Sequence, residues 1–236
     1  TNLSAGRDIS VAVGQIYPTS FGFPFTSQTT NNKIQLGTVV AGRSVNIEHN
    51  AQGSVSLTSL SAAGSVNIHA GSSYSPLAFN SVTTNNTITI GNNDPVGATG
   101  SFSVYNSGIG NLTVNGNIDR STSGGIDLST GAGSVTATGN LTARNSIYVS
   151  AAVESGTIAS ATLGQLVAGA GGNVSVGASG NVSFSTVSAS AVNGGNVSLN
   201  SESGFVRTTS NNAASDIVAT GDVDIRAGTS IGNAAF

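Results

Sequence analysis

The sequence predicts an all-β protein in which short parallel strands stack into a β-solenoid of about 20 residues per coil. Three observations support this fold class. An apolar–polar–apolar core such as Val45-Asn46-Ile47 recurs along the chain, bounded by Gly or Asn. Paired steps are regular, since Val66 follows Val45 by 21 residues and Ile88 follows Val66 by 22. No stretch combines helical periodicity with a convincing helix start.

Each recurring core predicts a strand, because alternating apolar and polar residues place one face toward a core and the other toward solvent. Gly and Asn at the boundaries suit the tight bends between the walls of a coil. In chain order the predicted strand cores are residues 9–11, 34–36, 45–47, 55–57, 66–68, 88–90, 102–104, 112–114, 126–128, 135–137, 141–143, 147–149, 174–176, 182–184, 197–199 and 223–225.

Three insertions, near residues 14–32, 71–86 and 91–100, interrupt this pattern and contain all four prolines. Proline cannot donate a hydrogen bond to a neighbouring strand, so these stretches are expected to be loops. With the loops set aside, the chain is one β-solenoid segment over residues 1–236 with roughly 9 to 11 coils. Because no initiating Met, signal peptide or polar end cap is evident, we expect it to be part of a longer protein.

Composition excludes several classes of function. Only 7% of the residues are charged, against about 25% in an average soluble domain, so Ser, Thr, Asn and Gly must form the exterior. Seven basic residues and a net charge of −3 give no basic patch for nucleic acid. No polybasic run, amphipathic helix or long apolar segment indicates membrane insertion. The absence of Cys excludes disulfides and thiolate chemistry.

The stretches AGRDISVAV (5–13), AGRSVNIEHNAQGSVSLTS (41–59) and AAGSVNIHA (62–70) resemble the haemagglutinin-type repeats of filamentous-haemagglutinin-like adhesins. Proteins of that family are exoproteins that Gram-negative bacteria secrete through an outer-membrane partner. The resemblance implies a right-handed parallel β-helix that is secreted or held at the cell surface. It also implies a structural or adhesive shaft that attaches to a receptor or glycan on host cells, other bacteria or surfaces, or that presents a distal domain.

The most suggestive acidic pair is Asp222 and Asp224, which flank Val223. With Val223 facing inward, both carboxylates and Arg226 would lie on the outer face, the carboxylates about 7 Å apart. Inverting glycosidases separate two carboxylates by about 6.5–9.5 Å, so a β-helix that binds or cleaves polysaccharides is the alternative function. The simpler interpretation is a solvated ion pair. We expect no catalytic residues, enzyme activity or cofactor.

Both histidines lie in the first third of the chain, at His49 and His69. Aligning Val45 with Val66 brings His69 beside Glu48 on the next coil, which predicts a structural pair with a raised His69 pKa. A metal site is the alternative if all three side chains converge, although no metal is expected.

Aromatic residues concentrate in the first insertion, where Tyr17, Phe21, Phe23 and Phe25 fall within nine residues. Loops on a rigid scaffold often carry recognition, and exposed aromatic clusters mark binding surfaces. This loop is therefore the candidate ligand-binding site. The alternative is that its rings pack against the solenoid.

Overall fold

A computed structural model describes residues 1–13, 32–71, 85–95, 97–151, 157–169, 171–190, 195–210 and 216–233. These residues form strands and connecting turns, without a helix, and every strand pairing among them is parallel. The predicted β-solenoid is therefore confirmed. No helix in the described residues is long and apolar enough to span a membrane.

The strands are short, and most have three to five residues. In chain order they are β1 (Leu3–Ala5), β2 (Ile9–Val13), β3 (Ile34–Ala41), β4 (Val45–His49), β5 (Val55–Ala62), β6 (Val66–Ala70), β7 (Ile88–Asn92), β8 (Phe102–Ile109), β9 (Leu112–Asn115), β10 (Ile118–Arg120), β11 (Ile126–Ala132), β12 (Val135–Ala137), β13 (Leu141–Ala143), β14 (Ile147–Ala151), β15 (Ala161–Leu163), β16 (Gln165–Ala168), β17 (Val174–Ala178), β18 (Val182–Phe184), β19 (Thr186–Ala189), β20 (Val197–Ser201), β21 (Val206–Thr208), β22 (Ile217–Ala219), β23 (Val223–Ala227) and β24 (Ile231–Asn233).

In the part of the chain that the structure describes, three parallel sheets form the walls of the solenoid. The described strands of wall 1 number ten, in the order β1-β3-β5-β7-β9-β12-β15-β18-β21-β24. Those described in wall 2 number nine, in the order β2-β4-β6-β8-β11-β14-β17-β20-β23, and those in wall 3 number five, in the order β10-β13-β16-β19-β22. The described chain makes about 7 turns, which is fewer than the roughly 9 to 11 coils that the sequence predicts.

The core consists of inward side chains that stack in columns from coil to coil. In wall 2, Ile47 lies opposite Ile68, Ile68 opposite Val104, and Val104 opposite Leu128, and all four are fully buried. Strand residues alternate between buried and more exposed positions, as the period-two pattern predicts. Each coil thus buries its apolar residues against equivalent residues of the coils before and after it.

Polar side chains at the corners join successive coils. The Asn111 side-chain oxygen accepts a hydrogen bond from the Ser134 backbone N–H at 2.9 Å. Likewise, Asn173 Oδ1 accepts from the Asn196 N–H at 2.9 Å, and Asn196 Oδ1 from the Asp222 N–H at 2.7 Å. These bonds satisfy backbone donors where the chain leaves one wall for the next. They give a structural reason for Asn before a strand, independent of the Asn-x-Ser/Thr glycosylation signal that these residues create.

Strands that the sequence did not predict belong to walls 1 and 3. They are short and offer few inward apolar residues, as in β10, where Ile118 and Arg120 are the inward pair. β15 and β16 lie in the Ala-rich stretch 150–169, which has the most helix-like composition in the chain. Because Ala, Ser and Gly dominate these segments, local propensity contributes little, and pairing with neighbouring coils decides their structure.

Candidate functional site

Two columns of side chains, with one residue from each strand, cover the outer surface of wall 2. Most are small and uncharged. The register gives a first column of Ser10, Asn46, Asn67, Ser103, Asp127, Tyr148, Ser175, Ser198 and Asp224, and a second column of Ala12, Glu48, His69, Tyr105, Ser129, Ser150, Gly177, Asn200 and Arg226. We call the patch formed by Glu48, His69, Tyr105, Asp127 and Tyr148 the tyrosine face.

Tyr105 stacks on His69 of the preceding coil. Their ring centroids are 5.5 Å apart and their planes differ by 6°, a separation close to the interstrand spacing of about 4.8 Å. Ser129 is the next residue in the column and is too short to cover the opposite face of the Tyr105 ring. Tyr105 is 45% exposed, so it offers a fixed aromatic surface to solvent.

Tyr148 lies in the neighbouring column, between Asp127 and Ser175. It is 46% exposed, and its phenol makes no hydrogen bond to any described residue. Asp127 accepts a hydrogen bond from the Ser129 hydroxyl at 2.5 Å, which holds its carboxylate on the outer surface. The exposed ring of Tyr148 therefore lies beside the carboxylate of Asp127.

Glu48 and His69 are register neighbours on adjacent strands, as the alignment of the repeats predicts. Among the described residues, however, no ion pair joins them, and His69 Nε2 lies 3.3 Å from the Ser107 hydroxyl instead. The expected rise in pKa is wrong. Burial lowers the His69 pKa below its usual value, and the Glu48 charge opposes this only in part. The imidazolium form of His69 is therefore less favoured than that of a free histidine side chain.

His49 points to the opposite side of wall 2 from Glu48 and His69. It is fully buried in the core, where its Nε2 lies 2.9 Å from the Asn32 carbonyl oxygen. Burial lowers its pKa. The alternative in which the three side chains converge on a metal ion is therefore wrong, because strand alternation separates His49 from the other two.

Asp222, Asp224 and Arg226 lie at or beside β23, the last strand of wall 2 in the described chain. Val223 follows the inward column of Val197 but is 50% exposed, because no further described strand covers it. Asp224 pairs with Arg226 at 2.9 Å, and both side chains are largely exposed. Such a pair is solvated and contributes little to stability.

A buried ion pair between Asp94 and Arg120 is a feature that sequence reasoning missed. The two side chains are fully buried and their charged atoms lie 2.8 Å apart. Asp94 falls in an insertion that we expected to be a simple loop, and Arg120 is the last residue of β10, a strand too short to predict. A Pro directly after an acidic residue gives no sign that the acid is buried.

The aromatic loop residues Tyr17, Phe21, Phe23 and Phe25 lie outside the described residues, so their role as a binding site stays a prediction. Comparison with known proteins adds no assignment for this surface or for the tyrosine face. A scan against protein-family models, a search of curated proteins and a search of solved structures each found no match.

Proposed function

We propose that this chain is a structural and adhesive shaft segment of a secreted, cell-surface filamentous adhesin. The parallel β-solenoid supports this, because it is the architecture that the resemblance of residues 5–13, 41–59 and 62–70 to haemagglutinin-type repeats implies. Stacked coils make an elongated scaffold whose core is continuous from coil to coil.

The tyrosine face is the observation that carries the adhesive part of the proposal. Tyr105 and Tyr148 are exposed aromatic rings on a wall whose other outward residues are almost all small. Tyr is enriched among residues that dominate binding energy, because its ring buries a large area and loses little conformational freedom. Such a side chain is expected to be retained on a solvated wall for contact with a partner.

The location and partners of the proposed adhesin follow from the same resemblance. The full protein would be secreted from a Gram-negative bacterium through an outer-membrane partner and would remain at the cell surface. Its ligand would be a receptor or glycan of a host cell or of another bacterium. The aromatic loop with Phe21, Phe23 and Phe25 is the second proposed contact.

Attachment of coated beads to surfaces tests the proposal. Beads carrying the folded chain are expected to attach to at least one of epithelial cells, bacterial cells or glycan-coated plates, above beads carrying albumin or the heat-unfolded chain. Two variants divide the contribution: Tyr105→Ser with Tyr148→Ser, and Phe21→Ser with Phe23→Ser and Phe25→Ser. Attachment no better than albumin on every surface would refute an adhesive role.

Polysaccharide cleavage is the competing function, and Asp222 and Asp224 are its candidate carboxylates. Asp224 is held by Arg226, whereas Asp222 donates its backbone N–H to Asn196 and precedes the strand. Release of new reducing ends from a polysaccharide, lost in Asp222→Asn and Asp224→Asn, would replace the shaft proposal with an enzyme. We expect no release.

A further inference from the structure

We infer that the tyrosine face binds a neutral oligosaccharide that lies across Tyr105 and Tyr148. This inference rests on the proposed adhesive function and names the class of ligand for its surface. The separation of the two rings, the groups near each ring and the charges of the face support it.

The separation of the rings fits an extended ligand. Tyr105 is in line with Ser129 and Ser150 on the next two strands of wall 2, and Tyr148 lies two residues before Ser150. Two interstrand steps and one step of two residues along the strand place the Tyr Cα atoms about 12 Å apart. One small cationic headgroup cannot contact both rings at that distance, whereas a short chain of sugar rings can.

Two carboxylates border the pair of rings, which suits the two kinds of group on a sugar ring. The C–H face of a pyranose packs on an aromatic ring, and its hydroxyl groups donate to acceptors at the edge. Asp127 is next to Tyr148 in its column, whereas Glu48 is two strands from Tyr105, about 10 Å, with His69 between them. Both acceptors are therefore within reach of a ligand that is several sugar rings long.

The charge of the face favours a neutral ligand over an acidic one. Among the described residues of the two columns, Arg226 is the one arginine or lysine, and it is paired with Asp224. β23 is three strands from β14, so Arg226 is about 14 Å from Tyr148 along the stack. Glu48 and Asp127 are left to repel uronate, sialylated or sulfated glycans.

Calorimetric titration of the full chain with defined hexasaccharides tests the inference. The neutral probes are cellohexaose, mannohexaose and chitohexaose, and the acidic probes are hexagalacturonate and a heparin hexasaccharide. At least one neutral probe is expected to bind, and its disaccharide to bind much more weakly. Tyr105→Ser and Tyr148→Ser should each weaken binding about tenfold, the order expected for one aromatic anchor. Tyr105→Phe and Tyr148→Phe retain the rings and should keep most of the affinity.

A double variant, Glu48→Gln with Asp127→Asn, tests whether the two carboxylates select against acidic glycans. It should reduce the preference for neutral over acidic probes. Circular dichroism checks the fold, and the Phe and Gln/Asn variants keep the test decisive if a Ser variant unfolds. Binding of no neutral probe, tighter binding of an acidic probe, or binding of oligolysine instead would overturn the inference. Beads that still attach to cells in those cases would leave the adhesive function intact. Sugar binding without bead attachment would support the site and count against adhesion.

Discussion

At the residue scale, Arg120 is the least expected side chain in the core. It stands in line with Ala143, and Ala143 with Ala168, on the inner side of wall 3. Its guanidinium donates to the carbonyl oxygens of Gly64 at 2.6 Å and Thr99 at 3.1 Å, besides pairing with Asp94. A buried charge of this size is stable only when paired and hydrogen-bonded, which the insertion around Asp94 achieves.

Removing one partner of this pair should be strongly destabilising. Asp94→Asn leaves the Arg120 charge buried without a counter-ion, and such changes cost about 3–5 kcal/mol. Combining it with Arg120→Leu should recover much of the loss, because an apolar side chain suits the core position. Urea unfolding followed by circular dichroism measures both. Arg226→Ala is the matched control at an exposed pair and should change little. Equal losses in Asp94→Asn and Arg226→Ala would contradict this account.

His49 should make the fold sensitive to mild acid. Its Nε2–H donates to Asn32, whereas Nδ1 is buried with no partner among the described residues, so protonation creates a buried donor. Because burial lowers the folded-state pKa, the unfolded chain binds more protons just below pH 6.5. Stability is therefore lost as pH falls from about 6.5, by at most about 1.4 kcal/mol per pH unit for one group.

Thermal unfolding between pH 7 and pH 5 measures this effect. The unfolding temperature should fall across the range, and His49→Leu should flatten the dependence. His69→Asn should remove a further part of the pH dependence of the unfolding temperature, since burial also lowers the pKa of His69. An identical pH profile in wild type and His49→Leu would exclude His49 as the source.

At the element scale, the corner between β8 and β9 depends on a glycine. Gly110 has φ of +140°, and a Cβ there would lie 1.8 Å from the Asn86 carbonyl oxygen of the preceding coil. By contrast, a Cβ added to Gly177, in the strand β17, would have no atom within 4 Å. Glycine is therefore sterically required at position 110, whereas position 177 has room for a side chain.

Alanine at Gly110 should destabilise the protein by about 2 kcal/mol or more, since it combines an unfavourable φ with a backbone clash. Alanine at Gly177 should be neutral or slightly stabilising, because it lowers the entropy of the unfolded chain. The free energies of unfolding of the two variants give the comparison. A Gly110→Ala variant as stable as Gly177→Ala would show that the corner can move to accept a side chain.

At the scale of the whole molecule, stability and surface chemistry are divided between the inner and outer sides of the walls. Inward columns of Val, Ile, Leu and Ala are continuous and buried along the stack. The outer wall stays hydrated through hydroxyl and amide groups with few charges, so a small number of larger residues define its character. Because neighbouring coils hold the strands in register, the sheet fixes the backbone positions of the residues that form the tyrosine face.

Sequence alone determined the fold class, most of walls 1 and 2, and the register of Glu48 beside His69. A strand of period two that recurs about every 20 residues has few arrangements that bury one face, so local pattern and global fold agree. The same pattern predicts one strand of wall 3, β13, because the strands of this wall in the described chain have three or four residues and give too short an alternation.

Only the tertiary structure decided which residues from distant strands meet. Tyr105 and Tyr148 are 43 positions apart in the sequence. They share a surface because β8, β11 and β14 pair in register in wall 2. The pairing of Asp94 with Arg120 and the lowered pKa of His69 likewise depend on burial, which neither local composition nor spacing encodes. The repeated sequence pattern therefore determines that the coils stack. The chemistry of a side chain depends on which residues of neighbouring coils it contacts once they have stacked.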